Sequence, residues 1–114
     1  RGAIFLTGAS ASMRGTSGYA AFSAAKAGQR ALAQSMAKEL GPQNIHVAHL
    51  VIDAGVDTAF VRERIAQSGT NPDTLPADTL MNPQSVAEAY WHLYHQPRDG
   101  WTFEMDIRPY GESW

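Results

Sequence analysis

Phe22-Ser23-Ala24-Ala25-Lys26 lies early in an Ala-rich stretch, and the segments on either side of it decide the fold. Before it runs Gly2-Ala3-Ile4-Phe5-Leu6-Thr7, a short apolar run broken by Gly8, as a buried parallel strand reads (residues 2–8). Residues 8–18 are rich in Gly, Ser and Thr and form a loop at that strand's C-terminal end, where open α/β sheets place ligands. Residues 19–40 are predicted to be one helix, capped by Ser17 or Gly18 and stopped at Gly41-Pro42. Phe22, Ala25, Leu32, Met36 and Leu40 are expected to form its apolar face. A second row, Ala21, Ala24, Gly28, Ala31 and Ser35, is small and spaced for close helix contact; the alternative is that its alanines simply raise helix propensity.

Further along, Ile45–Ile52 is a second strand and Asp53–Thr58 the loop that follows. Residues 58–67 read as a short amphipathic helix, and 68–81 as a mobile loop with Gly69, Pro72 and Pro76. Asn82-Pro83 is a strong start for a helix over 83–95. Residues 102–108 alternate Phe103, Met105 and Ile107 with polar residues, the pattern of an edge strand, and the aromatic tail (Tyr110, Trp114) is expected to dock.

The 114 residues and 44% apolar content suit one domain with a modest core. A net charge of −2 with scattered basic residues argues against nucleic acid or an anionic membrane as partner. No apolar run is long enough to span a bilayer, and the absence of Cys fits a cytoplasmic protein. No metal site is expected. Glu88, His92 and His95 share a helix but do not form H-E-x-x-H, and His46 and His49 point to opposite faces of a strand.

Strand, Ser/Gly loop, aromatic-x-x-x-Lys helix, strand and Val-x-Thr together resemble the C-terminal half of a short-chain dehydrogenase/reductase. The resemblance implies an α/β fold: half of a Rossmann-like doubly wound parallel sheet, with three strands, two main helices and a lid at about 58–81, residues 1–114 forming one partial domain. It also puts the two main helices on opposite sheet faces, which makes the final crossover left-handed against the general preference. A complete member is about twice as long, and no Gly-rich pyrophosphate turn occurs in this chain.

The family uses Tyr-x-x-x-Lys with a Ser thirteen residues earlier; here Phe22 holds the Tyr position and Ala9 the Ser position, with Ser10 adjacent. Phe22 cannot give a proton. Candidate catalytic residues are therefore Ser10, Lys26 and Tyr19, and each has a plainer reading. Ser10 and Ser12 satisfy loop backbone, Tyr19 packs at the helix start, and Lys26 is solvated. In the segment 53–58, Asp53 and Ala54 replace the family's Pro and Gly, while Val56 and Thr58 match. The resemblance implies that Lys26, Val56 and Thr58 hold NAD or NADP in a complete parent, none being expected for the chain alone. Alone it is expected to be inactive; the rival reading is a non-catalytic binding or oligomerisation module. Its expected partner is a missing N-terminal half or copies of itself, as a dimer or tetramer, through the bare edge of the first strand, the small helix row and the tail.

Overall fold

Residues 1–114 are described by a computed structural model. Ile45–Ile52 (β2) is buried along nearly its whole length because it pairs on both sides. Gly2–Ala9 (β1) lies parallel to it, with Gly2 opposite Ile45 and Ala9 opposite Ile52. Glu104–Ile107 (β3) lies parallel on its other edge, with His49 opposite Glu104 and Ile52 opposite Ile107. Ala20–Leu40 (α1) joins β1 to β2; Ala59–Gln67 (α2) and Pro83–Tyr94 (α3) lie between β2 and β3. This is the three-stranded parallel α/β sheet expected.

Side-chain contacts assign the faces. On one side Gly8 lies against His49, His49 bonds Glu104, and Glu104 meets Arg30 of α1, whereas Phe5 and Thr7 meet Tyr90 of α3 on the other. His46 lies on the α3 side, edge-on to Phe5 and stacked on Trp101 at 4.8 Å, so the two histidines do point oppositely. With the strands in simple order and the helices on opposite faces, the two crossovers have opposite hands, so one breaks the right-handed rule. Leu50, Val47, Val51, Ala33 and Leu93 carry the core.

Helix α1 departs from its predicted packing. Phe22 and Leu32, expected to face the core, are 47% and 54% exposed. The helix seats itself instead through Ser23, Lys26, Arg30, Ala33 and Ala37, with Ala33 fully buried. The reason is chemical: the sheet beneath offers Glu104 and a strand carbonyl, which call for cations, and a small Ala lets the backbones approach. No side chain caps α1; Tyr19 precedes its first turn, and Gly18, at φ 84°, turns the chain into it. Gly41-Pro42 does not end the coil at once, because a 3-10 turn over Gly41–Gln43 follows and Asn44, at φ 63°, makes the reversal.

Other boundaries shift less. β3 starts at Glu104 because Thr102 is occupied otherwise: Gln96 bonds its N–H and its hydroxyl, both at 2.8 Å. Asn82 and Thr58 cap α3 and α2 through Gln84 N and Val61 N. The two ends of the segment 58–81 are tied together, where Asp57 N donates to Met81 O at 2.7 Å and Met81 N to Gly55 O at 2.9 Å. The aromatic tail does not dock as expected. Tyr110 is 91% exposed, and Trp114 only stacks on the Arg108 guanidinium, 4.0 Å away.

Gly8 is required by close approach. A Cβ there would stand 2.3 Å from Nε2 of His49 and 2.9 Å from Oγ of Ser12. His49 is fully buried and its Nδ1 is 3.0 Å from Glu104, so it has nowhere to retreat. Gly8→Ala should therefore destabilise by about 1–3 kcal/mol, as overpacking does. In a His49→Ala background the same change should cost much less. Urea midpoints of the four proteins check this, and equal costs in both backgrounds would place the strain elsewhere.

Candidate active site

Lys26 is one of the residues by which α1 grips the sheet. Its Nζ donates to the carbonyl of Thr7 at 3.1 Å, near the C-terminal end of β1. The ammonium stands 5.9 Å from the centre of the Phe22 ring, one helical turn earlier, so the two side chains share a face. Phe22 offers that position only a ring. Tyr19 packs edge-on against it, with 6.4 Å between ring centres, and is half exposed. Its hydroxyl makes no hydrogen bond within the chain.

Ser10 is placed differently from what its sequence position suggests. Its hydroxyl donates to the carboxylate of Asp53, which is 1% exposed. Arg14 meets both oxygens of that carboxylate through Nη2, at 2.9 and 3.1 Å, and Arg108 Nε reaches it at 3.2 Å. Burial opposes the charge of Asp53, but the bonds from Ser10, Arg14 and Arg108 outweigh it and hold the carboxyl below the usual range. Ser12 is buried and accepts from Ala9 N at 3.0 Å, a structural task.

Val56 lies between the two bonds that join residues 55–57 to Met81, and its own N–H and C=O make none within the chain. Thr58 Oγ1 accepts from Val61 N at 3.2 Å, which leaves its O–H free to donate. Val56 and Thr58 therefore offer a donor, an acceptor and a hydroxyl just past the C-terminal end of β2. Arg62 braces the segment after β2, binding Asp57 at 2.5 Å and Asp73 at 2.9 Å.

A family profile described as enoyl-(acyl carrier protein) reductase matches residues 1–104. A short-chain dehydrogenase from Rhodopseudomonas palustris superposes with a TM-score of 0.67 at 51% identity, over 95% of this chain and 38% of that one. The chain belongs to the short-chain dehydrogenase/reductase family. Two more distant structures share the fold alone. A serine dehydrogenase in its closed form with NADP+ gives a TM-score of 0.77 at 20% identity, over 98% of this chain and 46% of that one. An NADPH-bound short-chain oxidoreductase from Pseudomonas aeruginosa PAO1, containing an atypical catalytic center, gives 0.73 at 23%, over 92% and 44%. The chain thus spans less than half the length of each of these dehydrogenase/reductase structures. No functionally curated protein matches it.

In this dehydrogenase/reductase chain, the sequence singles out Lys26, Val56 and Thr58 as candidates but does not reveal the two ionic clusters beside them. Asp53 was visible only as a replacement for Pro. The available signal was physical: a carboxylate at the end of an apolar strand must find cations, and Arg14 and Arg108 flank the same sheet end. The second cluster joins β2, β3 and α1. Glu104 takes Arg30 at 2.6 and 3.0 Å and His49 Nδ1 at 3.0 Å. Arg30 first, and His49 with it, hold the Glu104 carboxyl below the usual range despite its partial burial.

A lowered folded-state pKa gives stability that is present above the unfolded value and lost as pH falls through the folded one. Asp53 and Glu104 both have this sign. Stability should therefore be constant near neutrality and begin to fall below about pH 4.3, near the unfolded carboxylate values. In Asp53→Asn/Glu104→Gln, urea midpoints between about pH 5 and 3 should vary less with pH than in the parent. An unchanged slope would show that other carboxylates carry the acid sensitivity.

Proposed function

We propose that the chain is the C-terminal portion of an NAD(P)-dependent, cytoplasmic oxidoreductase with a nonstandard proton donor. The observation that carries this reading is Lys26. It reaches from α1 to the Thr7 carbonyl near the C-terminal end of β1, the sheet end where a nucleotide would bind, with further N–H groups left for a ribose. The open N–H and C=O of Val56 and the hydroxyl of Thr58 fit an amide group such as the nicotinamide carboxamide. The nicotinamide, when bound, supplies or accepts the hydride. Lys26, Val56 and Thr58 orient it, and Phe22 excludes water from one side without moving a proton. Ser10 keeps its hydroxyl proton on Asp53, so it is placed to accept a hydrogen bond from a substrate alcohol and not to donate one to a carbonyl. Tyr19 is the nearest phenol to Phe22.

The 114 residues contain no pyrophosphate turn, and alone they should turn over no alcohol or ketone. Absorbance at the reduced-nicotinamide band, for the pure chain and for the longer protein that carries it, tests both parts. Turnover by the 114 residues alone would overturn the expected inactivity, and its absence from the longer protein would overturn the oxidoreductase reading.

A second reading, a self-associating module, is favoured by the outer side of α1. Ala21, Ala24, Gly28, Ala31 and Ser35 are all exposed there beside Phe22 and Leu32. We propose that this row packs against a second copy, in a dimer or a tetramer. Gly28→Arg should then halve the mass seen by sedimentation at micromolar concentration. A parent sedimenting at 12.4 kDa would remove this reading.

A further inference from the structure

The guanidinium of Arg14 is only partly used. It contacts Asp53 through Nη2 alone, its Nε and Nη1 have no acceptor in the chain, and its side chain is 41% exposed. Asp53, by contrast, is saturated: it takes Ser10, Arg14 and Arg108 together. Arg108 has a second acid, Asp106, so Arg14 is the less neutralised of the two cations sharing the buried carboxylate. The arrangement fixes one edge of a planar cation and turns the remaining N–H groups outward, just past the C-terminal end of β1. A surface Arg loses side-chain entropy when it binds an anion; one already clamped by a buried acid loses less.

We propose that Arg14 anchors the substrate by binding a carboxylate, so that the enzyme acts on hydroxy or oxo acids in preference to neutral alcohols and ketones. The substrate class rests on the oxidoreductase reading above; the anion site does not. The role of Arg14 is binding and orientation. Its flat fork of donors matches a carboxylate better than an uncharged carbonyl. The division of labour among the site residues follows. Ser10 is held by Asp53, Phe22 has no hydroxyl, and Arg14 is the cationic side chain on this loop, with N–H groups free. Asp53 acts through Arg14 as a positioning residue.

Two measurements on the longer protein separate the ideas. First, binding of malonate, an unreactive dicarboxylate, is followed by calorimetry in the parent, Arg14→Gln and Arg14→Lys. Affinity should fall about 10- to 100-fold in Arg14→Gln, the effect of losing charge-assisted hydrogen bonds, and less in Arg14→Lys. Second, reduction of acetoacetate is compared with reduction of its methyl ester. The parent should favour the acid, and in Arg14→Gln that preference should collapse, mainly through a higher KM for the acid. If no ketone is reduced but malonate binds in an Arg14-dependent way, the anion site stands and the oxidoreductase reading falls. If the parent does not bind malonate, or Arg14→Gln binds it equally, Arg14 merely neutralises Asp53 and the proposal is overturned.

Discussion

Phe22→Tyr in the longer protein should raise the rate of hydride transfer by about 10²–10⁴, the usual worth of a positioned general acid. The structure supplies the neighbour that such a hydroxyl needs. Lys26 already stands 5.9 Å from the ring centre, and a cation beside a phenol favours its ionised form and so lowers its pKa. The ring is half exposed, so the added oxygen meets no buried apolar wall. The change should appear in kcat, because the group acts in the transition state and contributes little to ground-state binding. An unchanged rate would mean that a proton donor is already in place. Tyr19, with its ring 6.4 Å from that of Phe22, would then be the first residue to replace, by Phe.

Asp53→Ala should be the most damaging single change to stability. The side chain is 1% exposed and is the shared acceptor for Ser10, Arg14 and Arg108. Its removal leaves two cations facing each other across a void. Breaking a buried ion pair in this way costs about 3–5 kcal/mol, and the lower end applies here because Arg14 retains water and Arg108 retains Asp106. Urea unfolding at neutral pH should show that loss as a lower midpoint at unchanged slope. Asp53→Asn keeps the shape and some hydrogen bonds and should lose less. Equal stability of all three proteins would mean that the cluster contributes nothing net.

The fold was largely legible in the sequence because it is written in local signals. An apolar run ending in Gly8, a long Ala-rich stretch and the apolar strand 45–52 follow one another at the spacing of a βαβ unit. Asn82-Pro83 and Thr58 announced helix starts that the structure keeps. The outward face of α1 was misjudged because apolar periodicity identifies a stripe, not the partner of that stripe. The sheet took the side bearing Lys26, Arg30 and Ala33, and the apolar side was left outermost. The ionic clusters were illegible for a different reason. Asp53 lies 39 residues from Arg14 and 55 from Arg108, and Arg30 lies 74 from Glu104. Only strand pairing brings them together, and spacing along a chain carries no record of it. The aromatic tail was overread: bulk alone does not oblige Tyr110 to find a cover.

Asp53 also has a backbone. Its N–H donates to Ile107 O at 3.0 Å, the last rung between β2 and β3. The proline that the family carries at this place has no N–H to give. One position thus sets both how far two strands stay zipped and whether the Ser10 hydroxyl is engaged. Restoring proline would release the serine and unpick the rung in the same step. A lineage stepping directly from aspartate to proline would change its scaffold and its reactivity together.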